Sequence, residues 1–252
     1  PICSNFASMK QAMIFAAGLG TRLKPLTDTM PKALVRVGDK PLIAHVILRL
    51  REAGFSRIVV NVHHFADQIE AYLDAQDHFG LDIRISDERA ALLDTGGGIR
   101  HAMPFFDTSA PILIHNVDIL SDIDLARFYQ SGQASDAMLL VSPRQTQRYL
   151  LFDDEERLCG WTHLGTGEVR TPYPALDPAA CRRYAFSGIH LFSPSLFPLL
   201  ADMPDRFGII DFYLRHCAAR SIRGYVQPGL RLMDVGKADT LAEANDFLKT
   251  IQ

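Results

Sequence analysis

The sequence predicts an α/β fold: a mostly parallel, doubly wound sheet with helices on both faces and a smaller strand-rich part. Three observations carry that expectation. The run Arg57 to Val62 is β-branched and continuous, the mark of a strand covered on both faces. Such runs alternate with helical stretches through the first half of the chain, the pattern of parallel sheets. A loop rich in glycine and cationic residues follows the first apolar run, and ligands of such sheets lie beyond the carboxyl ends of strands.

Taken in order, Ala12-Met13-Ile14-Phe15 is short enough for a buried strand. The loop Ala16-Ala17-Gly18-Leu19-Gly20-Thr21-Arg22-Leu23-Lys24-Pro25-Leu26-Thr27 follows, closed by Pro31-Lys32-Ala33-Leu34, and its prolines keep a helix from starting at once. Ala33 to Val37 alternates like a short strand, and Gly38-Asp39-Lys40 turns. Pro41 to Ala53 reads as a helix, because Leu42, Ile43, Val46, Ile47 and Leu50 form one stripe and Gly54 ends it. A helix over Asp67 to Ala75 and a strand over Leu81 to Ile85 come next. A short helix, Ile99 to Ala102, precedes the buried run Pro111 to Asp118.

The second half is richer in strands. Asp136 to Pro143 is one, and Tyr149 to Asp153 with Leu158 to Thr162 reads as a hairpin across Asp154-Glu155-Glu156. Trp161 within that hairpin is expected to pack. Tyr184 to Phe192 alternates as a strand with one internal glycine, the mark of a close approach by another group. Helices are expected from Phe197, over Ile209 to Arg220, and over Ala238 to Leu248. No repeat, linker or low-complexity segment interrupts the pattern, which predicts a single domain over 9–252 whose first half, 9–118, carries the strand–helix alternation. Residues 1–8 read as an N-terminal extension, without the basic start and apolar core of a signal peptide.

Composition excludes several classes. The chain has 252 residues, 48% hydrophobic and 22% charged, enough to bury a core without disulfides or metals. A net charge of −3 without blocks of like charge argues against nucleic-acid binding and against a polybasic membrane anchor. No apolar run approaches the ~18 residues that a membrane span needs. Cys3, Cys159, Cys181 and Cys217 show no paired spacing and read as reduced thiols of a cytoplasmic protein. His63 and His64 are adjacent and no zinc spacing occurs, so a zinc hydrolase is not indicated. Ser187 lies outside any nucleophile elbow, so a serine esterase is not indicated either.

The glycine loop carries the chemistry. Gly18 and Gly20 let the backbone turn sharply, and successive N–H groups there can form an anion site. Arg22 adds a planar fork of donors and Lys32 a compact charge, a combination suited to a polyphosphate. A dinucleotide fingerprint is excluded because Leu23 stands where its third glycine belongs, and no Gly-Lys-Ser/Thr of a Walker loop occurs. In Asp94-Thr95-Gly96-Gly97-Gly98 the glycines either admit a flat or hydroxylated ligand or form a flexible loop, and the following helix N-terminus could face a phosphate. Asp118, at a strand's carboxyl end, suits a hard cation or a turn; Asp234 could simply cap the last helix.

The two segments of the glycine loop resemble the signature of sugar-1-phosphate nucleotidylyltransferases. Asp94-Thr95-Gly96-Gly97-Gly98, Phe186-Ser187-Gly188-Ile189 and Asp234-Val235-Gly236 make the chain most similar to the short N-acetylmuramate-1-phosphate uridylyltransferases. The resemblance implies the nucleotide-diphospho-sugar transferase-like, Rossmann-like fold, with 119–252 as the sugar-binding and capping half. It implies transfer of a nucleotidyl group from a nucleoside triphosphate, UTP favoured, to a sugar 1-phosphate in peptidoglycan recycling.

By the same resemblance Arg22 and Lys32 are catalytic, and Asp118 and Asp234 hold Mg2+. Ala16, Ala17, Gly18, Leu19, Gly20, Thr21, Asp94, Thr95 and Gly96 bind nucleotide, while Gly97, Asn116, Ser187, Gly188 and Asp211 border the sugar. Two departures stand out. Val117 replaces the glycine that most members carry before the metal aspartate, leaving less room there. Trp161-Thr162-His163 replaces the usual Glu-Lys-Pro, leaving His163 or Arg148 to substitute for its lysine. Mannose- or glucose-1-phosphate transfer, phosphocholine-type cytidylyl transfer, and a non-catalytic nucleotide-sugar sensor are the alternatives.

Overall fold

In the computed structural model, which describes residues 9–251, the apolar runs of the first half become parallel strands. The expected N-terminal extension lies outside the described residues. In chain order come β1 (Lys10–Phe15), β2 (Arg36–Val37), β3 (Lys40–Pro41), α1 (Leu42–Glu52), β4 (Phe55–Val62), α2 (Ala66–Ala75), β5 (Asp82–Asp87), α3 (Asp94–Ala102) and β6 (Ile112–Asn116). The second half continues with β7 (Ile119–Ser121), α4 (Leu125–Gly132), β8 (Ala137–Ser142), β9 (Arg148–Phe152), β10 (Leu158–His163) and β11 (Glu168–Arg170). It closes with β12 (Arg182–Phe192), α5 (Ile209–His216), β13 (Ile222–Tyr225), β14 (Leu232–Asp234) and α6 (Ala238–Ile251).

The main sheet runs β11-β10-β9-β12-β6-β1-β4-β5, with β8 also pairing β12 and β13 pairing β8. Strands β6, β1, β4 and β5 are mutually parallel, the doubly wound half that the alternation predicts. β12 joins β6 antiparallel and starts the strand-rich part. One apolar cluster gathers residues of α1, α2, α4 and α6; the other gathers residues of α3 and α5. Along β4, Ile58, Val60 and Val62 enter the first cluster and Val59 the second. That two-sided burial is why the strand reads as a continuous apolar run.

Tertiary burial outweighs local signals in α1. It has no side-chain cap, a loss worth about 1 kcal/mol. Its five stripe residues are at most 2% exposed. Burying each such side chain is worth about 1.5–3 kcal/mol, so the stripe decides the helix.

The structure corrects several expectations. Ala33, Val35 and Val37 are buried in alternation, but the backbone makes a 3-10 turn over Lys32–Leu34 and only a two-residue strand. The N–H groups of Leu34 and Val35 turn back to the carbonyls of Pro31 and Lys32, and so are lost to any ladder. Where a helix was expected from Phe197 the chain forms a 3-10 stretch, Pro194–Asp202, with Pro198 inside it. The helix expected to reach Arg220 ends at His216. Gly96, Gly97 and Gly98 are helical residues of α3, neither a loop nor a lead into a shorter helix. Trp161 packs as expected, with the Arg170 guanidinium 5.3 Å from its ring centroid. Cys159, Cys181 and Cys217 are free thiols, with the first two sulfurs 3.7 Å apart; Cys3 lies outside the described residues.

Two histidines are buried in the sheet. His190 Nδ1 pairs with the Tyr213 hydroxyl at 2.5 Å, and His115 Nδ1 pairs with the Asn116 carbonyl at 2.7 Å. Burial lowers their values from 6.5 to about 3 and about 4 respectively. Between those values and 6.5 the unfolded chain binds protons that the folded chain refuses, so stability rises with pH across this window and levels off above it. The urea midpoint should therefore fall from pH 7 to pH 5, and neither imidazole should titrate by NMR above about pH 5. An ordinary histidine titration at either position would contradict this packing.

Candidate active site

Three neighbouring strand ends build the glycine loop's support. Where β1 ends, the N–H groups of Ala16 and Ala17 donate to Asn61 Oδ1 at 2.7 and 3.3 Å. Asn61, near the end of β4, donates from Nδ2 to Glu88 Oε1 at 2.8 Å. Glu88, just past β5, is 2% exposed and accepts the Leu93 N–H at 3.3 Å. Burial raises the Glu88 carboxyl above its ordinary value, and the Asn61 hydrogen bond offsets part of that rise. Asn61 thus takes the N–H groups of both Ala16 and Ala17.

Glycines set the loop's path. Gly20 has φ +64°, and a Cβ there would stand 2.8 Å from Thr27 Cγ2 and 3.2 Å from Lys32 Cβ. The Thr27 hydroxyl and the Leu23 N–H donate to the Gly20 carbonyl at 2.7 and 2.9 Å. Only a residue without Cβ lets the loop fold back and bring Lys32 under its start. Gly18 faces open space.

A cleft of about 220 Å³ opens at this point. Ala16, Ala17, Gly18, Lys32, Asp94, Thr95, Asn116 and Asp118 line it, so eight of the residues proposed from sequence converge there. Phe15, Asn61, Glu88, Leu92 and Val117 complete it. Leu19, Thr21 and Arg22 are exposed on the loop outside this lining. Gly96 and Gly97 point away: both N–H groups donate to the Phe207 carbonyl, and a Cβ on Gly96 would fall 2.2 Å from the Phe207 ring. The start of α3 is therefore capped by its own chain and does not face a phosphate with these donors. Gly188 has φ +72°, and the group approaching it is the Asn116 side chain, 2.5 Å from where a Cβ would be. Ser187 is buried with no hydrogen-bond partner for its hydroxyl. Asp211 lies outside the cleft lining and forms an ion pair with Arg170.

Asp118 and Asp234 meet through backbone pairing. β14 pairs antiparallel with β7, placing Asp234 opposite Ile119, and the Val235 N–H donates to the Asp118 carbonyl at 2.8 Å. Lys32 forms an ion pair with Asp118, both side chains largely buried. Asp234 Oδ1 is buried without a partner. Burial first, and then the charge of Asp118, push the Asp234 carboxyl upward, while Lys32, Arg22 and Arg144 pull it back. A Cβ on Gly236 would meet Asp234 Oδ1 at 2.6 Å and Arg22 Nη2 at 2.9 Å, so this glycine admits carboxylate and guanidinium side by side. Val117 packs into the apolar cluster behind the aspartate.

An unpartnered carboxylate oxygen next to a second carboxylate is a donor set for a hard cation. No group of three or more His, Cys, Asp or Glu suited to a metal occurs among the described residues. Two carboxylates would therefore share the ion with phosphate and water oxygens, the usual arrangement for Mg2+.

The sequence reading missed Asn61 and Glu88, and it named Gly236 only as part of a motif, without a role. Asn61 is the sole amide within the otherwise apolar end of β4, and Glu88 follows the next strand's end. A buried polar residue at the carboxyl end of a parallel strand is the signal that could have marked both.

A family model described as "Nucleotidyl transferase" matches residues 11–152. The chain is 36% identical over 245 residues to the N-acetylmuramate alpha-1-phosphate uridylyltransferase of Caulobacter vibrioides, covering 93% of this chain and 96% of that one. It is 44% identical over 124 residues to the enzyme of the same name from Neisseria meningitidis serogroup B, covering 49% of this chain and 53% of that one. In fold it is similar to HddC from Yersinia pseudotuberculosis complexed with GMP-PN, with a TM-score of 0.76 at 21% identity over 95% of this chain and 100% of that one.

Asn61→Ala removes the link between the loop and a buried carboxylate. Leaving Glu88 without its donor should cost about 1–3 kcal/mol of unfolding free energy by urea titration. A loss below about 0.5 kcal/mol, the scatter of an ordinary surface substitution, would show that the loop is held by other means.

Proposed function

The chain belongs to the nucleotidyl transferase family and is a sugar-1-phosphate nucleotidyltransferase; we propose that it joins UTP to N-acetylmuramate 1-phosphate. The observation that carries the chemistry is the gathering of Asp234 and Arg22 beside Asp118 and Lys32, the latter two in the cleft lining. The choice of substrates rests on the uridylyltransferase relatives.

A phosphate oxygen of the sugar 1-phosphate attacks the α-phosphorus of the triphosphate. The new P–O bond forms as the bond to the bridging oxygen breaks, and pyrophosphate leaves with the electron pair. This displacement asks the protein for alignment and for charge neutralisation. Lys32, anchored at the cleft by Asp118, and Arg22, seated against Gly236, would offset charge developing on the pyrophosphate. Asp118 and Asp234 would hold Mg2+, which when bound neutralises the reacting phosphates and keeps them in line. Ala16, Ala17, Gly18, Asp94 and Thr95 would border the nucleotide, with Leu19, Gly20 and Thr21 shaping the loop around it. Asn116, held against Gly188, would mark the sugar side.

We assign residues 9–118 to the nucleotide and 119–252 to the sugar and the cap. The described residues contain no helix long and apolar enough to cross a membrane. The reduced thiols support a cytoplasmic reaction.

Pyrophosphate release should be measured for the four nucleoside triphosphates against N-acetylmuramate, mannose and glucose 1-phosphates in magnesium. UTP with N-acetylmuramate 1-phosphate should turn over fastest; a faster different pair would overturn the substrate assignment. Lys32→Ala should lower kcat about a hundredfold or more with an unchanged circular dichroism spectrum. Turnover within about threefold of wild type would remove Lys32 from the catalytic role.

A further inference from the structure

The proposed reaction brings two phosphorylated substrates together, and each phosphate needs its own countercharge. Lys32 and Arg22 both stand on the side built by the glycine loop. In the strand-rich part, Arg144 follows the end of β8, which pairs with β12 through Ser142 and Ala185. The Arg144 side chain is exposed, and its Nη2 donates to the Phe186 carbonyl at 3.1 Å. Among the described residues its guanidinium makes no ion pair within 4.0 Å, unlike Arg170, which Asp211 neutralises. Most of its fork of donors is therefore free for an anion.

Its location is set by the strand it grips. Phe186 is followed by Ser187, 1% exposed with an unpartnered hydroxyl, and by Gly188, against which the Asn116 side chain is pressed. Asn116 lines the cleft two residues before Asp118. A largely free guanidinium and a cleft amide thus meet β12 at Phe186 and Gly188, on either side of the unsatisfied hydroxyl of Ser187. That combination is expected where a ligand supplies the missing partner. The Arg144 charge also reaches Asp234, where it favours the ionised carboxylate.

We propose that Arg144 binds the phosphate of the sugar 1-phosphate, holding the nucleophile opposite the cations that receive the triphosphate. The inference rests on the nucleotidyl-transfer reading. His163 does not compete for this role, because its Nδ1 accepts the Thr166 N–H at 3.2 Å within its own hairpin turn. A guanidinium suits the task better than an ammonium, since two of its donors can engage two phosphate oxygens at once.

The test is a steady-state comparison of wild type, Arg144→Ala and Arg144→Lys with UTP and the sugar 1-phosphate that wild type converts fastest. Arg144→Ala should raise the KM for the sugar 1-phosphate roughly ten- to a hundredfold, as expected for losing a hydrogen bond to a charged group. Its KM for UTP should stay within about twofold, its melting temperature should match wild type, and Arg144→Lys should recover part of the loss. An unchanged sugar-phosphate KM in Arg144→Ala, or a rise confined to UTP, would overturn this inference while leaving nucleotidyl transfer intact. Absence of turnover by wild type on every substrate pair would overturn the parent reading, and this one with it.

Discussion

The pairing of β14 with β7 is the constraint on which the site depends. These three-residue strands carry Asp234 and the chain just after Asp118 to the same place from positions more than a hundred residues apart. Two carboxylates held close repel by about 4 kcal/mol at 4 Å with an effective dielectric near 20, and burying them adds a desolvation cost. The protein meets that cost in part with Lys32 on Asp118 and Arg22 beside Asp234. It leaves one buried carboxylate oxygen unmatched. A further cation, such as the Mg2+ proposed for these two carboxylates, would relieve that arrangement.

The rest of the architecture sets the glycine loop and the strand-rich part beside that pair. The parallel strands β1, β4 and β5 end side by side, and the Asn61–Glu88 link fixes the loop leaving β1. The antiparallel strand β12 sets Gly188 against the Asn116 side chain, on the side proposed for the sugar. Lys32 stands in the cleft lining beside Asp118, and on the reading proposed above Arg144 would supply the second cation from the strand-rich side.

Periodicity was a good guide where burial alone decides structure. The stripe of α1 and the two-sided run of β4 could be read directly because each buries a repeating set of side chains. Local signals failed where long-range contacts override them. The glycines of α3 look like a loop until Phe207 is seen packed against the first of them. The alternation at Ala33 to Val37 hides a turn whose hydrogen bonds are local. For the site, loop chemistry and family resemblance indicated Lys32, Asp118 and the residues lining the cleft. Asn61 and Glu88 went unseen because their roles exist only between elements distant in sequence. Asp211 pairs with Arg170, a partner on a strand too short to be read from pattern.

Whether Asp118 and Asp234 share one divalent ion is tested most directly by titrating the protein with Mn2+ and following the free ion by electron paramagnetic resonance, with a non-hydrolysable UTP analogue present. One site is expected in the wild type, weakened at least tenfold by Asp118→Asn and equally by Asp234→Asn. Wild-type affinity in either variant would show that the two carboxylates do not grip the same ion.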